Sequence, residues 1–207
     1  MRDDKAQISQ RIRRLRRSEL PDDTLKLARY LIGKTLVHDL RGRRLSGRIV
    51  ETEAYTIGDA AGHAFRGETP SIRSLFLQRG HAYVYFTYGS SFMMNVSSEK
   101  AGIGAGVLLR ALEPLDGVPF MERRRGTTRL LDLTRGPGRL AQAMDIDKRF
   151  DGIDLCADSK LWLGDAVRHA GPIGTSTRIG ITRDVHLLHR FYERGSPFVS
   201  GPKRLRE

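Results

Sequence analysis

Acidic and phenolic side chains interrupt a segment that otherwise has the composition of a buried β-strand. The segment covers residues 49–55 and reads Ile-Val-Glu-Thr-Glu-Ala-Tyr. The alternation of a β-strand places four of its side chains on one face, namely Ile49, Glu51, Glu53 and Tyr55. A carboxylate held in a site can serve as a general base, but alternation does not distinguish Glu51 from Glu53. The alternative is a pair of solvated or salt-bridged glutamates on a half-exposed strand.

One arginine lies inside the apolar run of residues 107–112. If this run is a buried strand, the guanidinium of Arg110 needs an anion or other hydrogen-bond acceptors. A glutamate of residues 49–55 is the natural partner. We therefore expect Arg110 to lie against one of the two carboxylates.

Two strands, residues 81–88 and 92–97, are predicted to pair as a β-hairpin around a glycine-marked turn. A loop of two residues would pair Tyr85 with Met94. A loop of three residues would pair Tyr85 with Asn95 and place both on one face. The three-residue loop is favoured if both side chains line a pocket.

The same hairpin carries three tyrosines. Tyr83 and Tyr85 share a face, and Tyr88 lies next to the turn. A large aromatic side chain at a hairpin tip has little to pack against, and it suits insertion between base pairs, as in minor-groove binders. The alternative is core filling, the usual role of aromatic residues in strands.

A single histidine, His63, lies in a glycine-containing loop after the acidic strand. Such a histidine is more often a local hydrogen-bond partner than a base or a ligand. Its spacing from His81 is not that of a metal site on a helix. The lone cysteine, Cys156, excludes an internal disulfide and a multi-cysteine zinc site. We therefore predict no metal.

The charge of the chain indicates a polyanionic partner. Lys and Arg number 36 against 24 Asp and Glu, a formal net charge of +12, which is typical of nucleic-acid-binding proteins. The alternative is a basic surface without a partner.

No run of about 18 apolar residues is present, and no apolar segment follows the N-terminal charges. A cytoplasmic location is expected.

The chain is predicted to consist of a flexible basic arm, residues 1–17, and one domain, residues 18–207. The arm is rich in arginine and could contact phosphates. Hydrophobic patterns and turn signals predict the remaining elements. The helices are expected within residues 21–33, 71–77, 119–125 and 136–144, and further strands at 34–40, 44–55, 106–112, 161–163 and 178–182.

Several of these segments together resemble the alkyladenine DNA glycosylase family, also called the 3-methyladenine DNA glycosylases. The resemblance extends from residue 18 to residue 200 and is specific because separate motifs occur in the right order. The motifs are Glu51-Thr52-Glu53-Ala54-Tyr55, His63, Tyr83-Val84-Tyr85, Tyr88-Gly89, Asn95, Leu108-Leu109-Arg110-Ala111-Leu112-Glu113-Pro114, Arg135-Gly136-Pro137-Gly138, Arg190-Phe191-Tyr192 and Arg194-Gly195-Ser196-Pro197-Phe198-Val199-Ser200.

The resemblance implies a fold and a set of roles. The fold is mixed α/β (α+β), a single domain around a curved antiparallel sheet with surrounding helices and a protruding β-hairpin, without metal or cofactor. Glu53 would be the catalytic general base that activates water, and Arg110 would help to hold that water. Tyr88 would intercalate and fill the gap left in the DNA. The implied substrate-binding residues are Tyr55, His63, Tyr85, Asn95 and Leu108, and Asn95 would obstruct normal guanine.

The chain departs from the family pattern at two places. Members commonly have bulkier residues where this chain has Ser90-Ser91, at the hairpin tip. An Arg-Asn pair that frequently follows the Thr-Pro dipeptide is absent after Thr69-Pro70, where Arg73 is the nearest arginine. The first departure concerns contacts with the opposite DNA strand, and the second concerns a phosphate contact.

The implied function is that of a monofunctional DNA glycosylase of base-excision repair. It would extrude alkylated or deaminated purines from duplex DNA and hydrolyse the N-glycosidic bond, leaving an abasic site. Its partner would be double-stranded DNA with damaged purines, and the protein would be a nucleoid-associated monomer without an obligate protein partner. Two alternatives are a non-enzymatic nucleic-acid-binding protein with a base-stacking hairpin and a hydrolase of free nucleosides.

Overall fold

The computed structural model describes residues 12–40, 42–87, 89–166 and 168–202. These residues form one α+β domain in which helices surround a curled antiparallel sheet, which confirms the predicted fold class. No helix among them is long and apolar enough to cross a membrane. The strands are β1 (Thr35–Leu40), β2 (Arg43–Tyr55), β3 (Ala82–Thr87), β4 (Ser91–Ser97), β5 (Gly106–Pro114), β6 (Leu161–Gly164), β7 (Ile173–Ser176) and β8 (Arg190–Glu193). The α-helices are α1 (Thr24–Leu31), α2 (Val118–Arg125), α3 (Leu130–Leu133) and α4 (Pro137–Ala143), and two 3₁₀ helices, His63–Arg66 and Pro70–Phe76, lie between β2 and β3.

Strand β2 lies at the centre of the sheet and has 13 residues. The hydrogen-bonded order is β3-β4-β5-β2-β1-β6, with β8 paired to both β2 and β7. On one side β2 pairs with β5. On the other side it pairs first with β1, as far as Arg48, and then with β8, from Glu51 to Glu53. Because its neighbour changes along its length, the sheet curls there, and the two glutamates lie where β5, β2 and β8 meet.

A β-bulge near Val50 changes the alternation of β2. The register between β2 and β5 shifts between Ile49 and Glu51 and again just after Glu51. Ile49 packs in the main core with Ala54, whereas Val50 lies in a small separate cluster. The predicted placement of Ile49 on the face of the glutamates is therefore wrong, because a bulge inserts one extra residue and interrupts strict alternation.

Helix α1 confirms the first predicted helix and supports β2 from behind. The carboxylate of Asp23 caps the helix by accepting a hydrogen bond of 2.7 Å from the backbone N–H of Lys26. Gly33 follows the helix with a φ of +88°, a conformation that favours glycine. The carbonyl oxygen of Ala28 accepts a hydrogen bond of 2.9 Å from the hydroxyl of Thr52. This bond ties the helix to the strand that carries the glutamates.

The β3–β4 hairpin forms, but its register differs from both predicted registers. Tyr85 pairs with Met93 and Tyr83 pairs with Asn95, because a three-residue connection starts one position earlier than predicted. Tyr83 and Tyr85 are two residues apart, so Tyr85 still lies on the face of Asn95. Tyr88 lies outside the described residues, and its role as an intercalating residue stays a prediction.

The strand predicted at residues 178–182 is wrong. Strand β7 lies at Ile173–Ser176 instead, and residues 177–184 form a loop. Gly180 has a φ of +78°, which is incompatible with an extended strand. The guanidinium of Arg178 pairs with the carboxylate of Asp59 from the segment after β2. The positive φ of Gly180 and the ion pair of Arg178 together account for a loop in this segment instead of a strand.

Residues 12–17 of the predicted arm are described, and they contact the rest of the domain. Leu15 is buried in the main core. Arg13 lies 2.7 Å from the carboxylate of Asp165, and Arg17 pairs with Asp154. Residues 1–11 lie outside the described residues, and their contact with phosphates stays a prediction.

We predict that Thr52→Val lowers the free energy of unfolding by about 1 kcal/mol, because it removes one buried hydrogen bond and keeps the β-branched shape. Denaturant unfolding followed by circular dichroism measures this change. Thr175→Val is the matched control, since Thr175 lies exposed on β7 and its replacement is expected to stay within about 0.5 kcal/mol of wild type. Equal losses in the two variants would contradict the role of the Thr52 hydroxyl.

Candidate active site

A cavity of about 160 Å³ lies between strands β3, β4 and β5, the end of β2 and two loops. We call it the central cavity. Its lining includes every substrate-binding residue predicted from the sequence together with Arg110, and these residues are Tyr55, His63, Tyr85, Asn95, Leu108 and Arg110. The fold therefore brings together side chains from β2, β3, β4, β5 and the segment after β2.

Glu53 lies behind the wall of the central cavity, and its side chain is completely buried. Its Oε2 atom accepts hydrogen bonds from the Tyr55 hydroxyl at 3.1 Å and from Nη1 of Arg110 at 3.2 Å. Its Oε1 atom accepts a hydrogen bond from the backbone N–H of Ile179 at 2.8 Å. All three donor residues line the cavity, so the carboxylate lies directly behind them.

Glu51 is also completely buried but has different partners. Its Oε1 atom accepts hydrogen bonds from Nε of Arg110 at 3.0 Å, from Nε of Arg190 at 2.7 Å and from the Ser200 hydroxyl at 2.8 Å. Its Oε2 atom accepts the backbone N–H of Ser200 at 2.6 Å. Arg110 therefore bridges the two buried carboxylates, and the predicted contact of this arginine with a glutamate is confirmed for both.

The surroundings of the two carboxylates shift their pKa values in opposite directions. Burial by itself raises the pKa of a carboxyl group, because it disfavours the charged form. At Glu51, the charges of Arg110 and Arg190 and the hydrogen bond from Ser200 outweigh burial and lower the pKa. At Glu53, burial outweighs the attraction of Arg110, and the charge of Glu51 adds to the rise in pKa. Glu53 is thus the better proton acceptor of the pair.

One wall of the central cavity consists of stacked aromatic rings. Tyr83 and Tyr85 stack with ring centroids 5.3 Å apart, and the ring of His63 meets Tyr85 edge-on at 4.5 Å. The Nδ1 atom of His63 lies 2.7 Å from the Tyr83 hydroxyl. Partial burial lowers the pKa of His63, which favours the neutral ring. The amide nitrogen of Asn95 donates to the carbonyl oxygen of Tyr83 at 3.4 Å.

The 177–184 loop also lines the central cavity, through Ile179, Gly180 and Ile181. The guanidinium of Arg178 lies over the ring of Tyr55, 4.7 Å from its centroid. It also donates to the carboxylate of Asp59 and to the carbonyl oxygen of Ala54, the latter at 3.0 Å. These contacts hold the loop in place, and they allow Ile179 to present its N–H to the buried carboxylate.

Sequence reasoning did not identify several residues that build the site. The strand period placed Tyr83 on the face of Tyr85, but no role at the site was assigned to it. Arg190 and Ser200 lie in segments that resemble the family, but no local pattern shows that they contact a glutamate. Arg178 and Asp59 are 119 positions apart in the chain, and no local pattern predicts their pairing.

A larger cavity of about 800 Å³ contains none of the predicted site residues. It lies beside β1 and α2, and its walls include His38, Arg43, Phe120 and Arg124. One of its cations, Arg124, lies 2.6 Å from the carboxylate of Asp145 in the same wall. The predicted site residues therefore gather around the smaller cavity and not around the larger one.

We predict that Arg190→Met lowers the free energy of unfolding by about 3–5 kcal/mol, because Glu51 would keep a buried charge with one cation fewer. Thermal or denaturant unfolding measures this loss. Arg129→Met is the control, because Arg129 pairs with the carboxylate of Asp132 but has 80% of its side chain exposed, and an exposed pair contributes about 0–1 kcal/mol. Similar losses for the two variants would contradict the structural role of Arg190.

The chain is similar to known proteins over most of its length. The chain matches the family model of methylpurine-DNA glycosylase (MPG) over residues 18–197. A protein of Mesorhizobium japonicum named "Putative 3-methyladenine DNA glycosylase" is 66% identical over 191 residues, which cover 92% of each chain. Proteins of the same name from Paraburkholderia phytofirmans and Chlorobium phaeovibrioides are 55% and 48% identical, and the matches cover 92% and 86% of this chain and 90% and 91% of theirs. Because both the family model and these relatives match most of its length, the chain belongs to the methylpurine-DNA glycosylase family.

Proposed function

We propose that the protein hydrolyses the N-glycosidic bond of alkylated or deaminated purines extruded from duplex DNA and leaves an abasic site. The observation that carries the proposal is the buried carboxylate of Glu53, since its hydrogen-bond donors Tyr55 and Arg110 also line the central cavity. A pocket for a base and a general base beside it are what such a hydrolase requires.

The size of the central cavity supports a single base as its occupant. Pockets for ordinary small-molecule ligands measure about 300–1,000 Å³, whereas this cavity measures about 160 Å³. A planar purine suits such a space better than a complete nucleoside does. The sugar then stays at the mouth with the DNA backbone, which argues against a hydrolase of free nucleosides.

Tyr55 and Tyr85 provide aromatic faces on which the extruded base stacks. Stacking of a base on an aromatic side chain contributes about 1–3 kcal/mol. A purine alkylated at N3 or N7 carries a positive charge, and cation–π attraction adds about 0.5–2 kcal/mol. The wall of stacked rings at Tyr83 and Tyr85 therefore favours alkylated purines over normal ones.

Polar groups of the cavity select among bases that carry no positive charge. Nδ1 of His63 is engaged by the Tyr83 hydroxyl, which leaves Nε2 to make a hydrogen bond with a neutral lesion such as hypoxanthine. Asn95, buried in the cavity wall, obstructs the exocyclic amine of normal guanine. Leu108 contributes an apolar surface next to it.

Glu53 and Arg110 carry the chemical step. Arg110 holds a water molecule, and Glu53 accepts a proton from it as the water oxygen bonds to the sugar carbon. The carbon–nitrogen bond breaks with oxocarbenium character, and its electron pair leaves with the base. Among the described residues, no lysine lines the central cavity, which supports water rather than an amine as the nucleophile and hence a monofunctional enzyme.

The DNA partner is a duplex that contains a damaged purine. The net charge of +12 attracts the phosphate backbone, and Tyr88 is proposed to fill the gap that the extruded base leaves in the stack. We also propose that the protein acts as a monomer on nucleoid DNA. A non-enzymatic base-stacking protein would have no use for a buried carboxylate with a raised pKa beside its pocket.

We predict that Glu53→Gln reduces base release by about 10²–10⁴-fold, the usual contribution of a general base, and leaves the affinity for damaged DNA within a few-fold of wild type. Release of the base from duplexes with a single hypoxanthine or alkylated purine measures the first effect. A fluorescence-anisotropy titration with the same duplexes measures the second.

Glu68→Gln is the control for this substitution. This substitution removes the same charge as Glu53→Gln. The side chain of Glu68, however, is 48% exposed and does not line the central cavity. This variant should release bases at the wild-type rate. Near wild-type release by Glu53→Gln would overturn the assignment of the general base.

We predict that the rate of base release falls on acidification, with a midpoint above the ordinary glutamic acid pKa of about 4.3. The reason is that Glu53 must be ionised to accept a proton and its pKa is raised by burial. Arg110→Met should move this acidic limb to higher pH, since the guanidinium favours the charged carboxylate. Glu51→Gln should move it to lower pH, since it removes a neighbouring negative charge.

The midpoints are obtained from single-turnover rates measured across pH on one lesion duplex. The folded state of each variant is verified at every pH by circular dichroism. An acidic limb at the same pH in wild type, Arg110→Met and Glu51→Gln would show that another group controls the reaction.

A further inference from the structure

A second cleft adjoins the central cavity and is not used by the proposed reaction. This side cleft has a volume of about 350 Å³, and two loops form it. Its lining residues are Ala60, Ala61, Gly62, His63, Phe65, Arg66, Gly180, Ile181, Thr182 and Arg183. Four of them, Ala61, His63, Gly180 and Ile181, also line the central cavity, so the two spaces share a wall.

Contacts across the cleft hold its two loops together. The backbone N–H of Ala60 donates to the carboxylate of Asp184 at 2.7 Å. Arg178, in the same loop as Asp184, donates to the carboxylate of Asp59 at 3.0 Å, and both partners are buried. The side cleft is therefore a defined feature of the fold, and its geometry is tied to that of the loop that contacts Glu53.

The charge of the side cleft is uncompensated. Arg66 and Arg183 are exposed, and the lining contains no carboxylate. Neither guanidinium has a hydrogen bond, ion pair or ring contact within the part of the chain that the structure describes. By contrast, Arg124 in the larger cavity is paired with an aspartate. Two unpaired guanidinium groups in one cleft suit a phosphate, which they can bind through paired N–H donors.

We infer that the side cleft binds a phosphodiester of the damaged strand, next to the nucleotide whose base occupies the central cavity, with Arg66 and Arg183 as its ligands. This inference rests on the proposed function. A base in the central cavity leaves its sugar at the mouth, and the strand must continue from there. The shared wall of His63 and Gly180 places the side cleft next to that point.

Phe65 extends the same binding surface. Its ring lines the side cleft and is 49% exposed. An exposed aromatic ring beside two phosphate ligands can pack against the sugar or the base that follows the phosphate. The side cleft thus binds one backbone unit of the strand and positions the glycosidic bond at the mouth of the central cavity.

The test combines neutral DNA linkages with charge-removing variants. A series of duplexes carries a tetrahydrofuran abasic analogue at one position and a single methylphosphonate at each neighbouring linkage in turn. For wild type, one linkage next to the analogue should weaken binding by about tenfold, as expected for loss of a charge-assisted contact. Arg66→Gln and Arg183→Gln should each weaken binding to the unmodified duplex and should each be less sensitive to that linkage than wild type. The double variant should be insensitive to it, because both guanidinium groups contact the same phosphate.

The salt dependence of binding provides a second readout from the same titrations. The double variant should reduce the slope of log K against log salt by about 0.9, the value for one phosphate contact. Arg123→Gln is the matched control, since Arg123 is exposed on α2 and lines neither the side cleft nor the central cavity. It should keep the sensitivity of wild type to the critical linkage.

The outcomes separate this inference from the proposed function. If Arg66→Gln and Arg183→Gln respond to every methylphosphonate as wild type and Arg123→Gln do, the side cleft does not bind a phosphate and the inference is wrong. If wild type releases no base from lesion duplexes, the proposed catalytic function is wrong, whatever the binding data show. Reduced linkage sensitivity in the two single variants and its loss in the double variant, together with base release by wild type, support both.

Discussion

The bridge that Arg110 makes between Glu51 and Glu53 is the interaction on which the rest of the site depends. Both carboxylates are completely buried, and a buried carboxylate without a partner is unfavourable by several kcal/mol. Arg110 and Arg190 supply two positive charges for the two negative ones. The cluster is therefore neutral as a whole, yet its hydrogen bonds are unequally distributed. This inequality lowers the pKa of Glu51 and leaves the pKa of Glu53 raised.

The curl of the sheet makes this cluster possible. At the two glutamates, the neighbour of β2 on one side changes from β1 to β8, while β5 remains on the other side. Arg110 on β5 and Arg190 on β8 therefore reach the glutamates from opposite sides. The bulge near Val50 breaks the alternation at the same place. Bulges occur frequently beside active sites, where they redirect side chains. The hydrophobic core on the other face of β2, which includes residues of α1, stabilises the strand despite the bulge.

Much of the site was predictable because its residues lie on strands with a regular period. Alternation placed both glutamates and Tyr55 on one face, and the family resemblance singled out Glu53. Arg110 followed from its position in an apolar run that required a counter-charge. The loop at residues 177–184 was not predictable. Its apolar residues suggested a strand, but Arg178 finds a buried carboxylate in a distant loop. Hairpin register was also missed, since it depends on where the turn starts and not on the strand pattern.

The sequence by itself determined the fold class, the family resemblance and the types of group that gather at the site. These depend on composition, on periodicity and on motifs that are local in the chain. Only the tertiary structure decided that Glu53 rather than Glu51 has the raised pKa, and that an uncompensated basic cleft adjoins the central cavity. Such properties depend on burial and on charges from distant segments, since Arg110 and Arg190 are 59 and 139 positions away from Glu51.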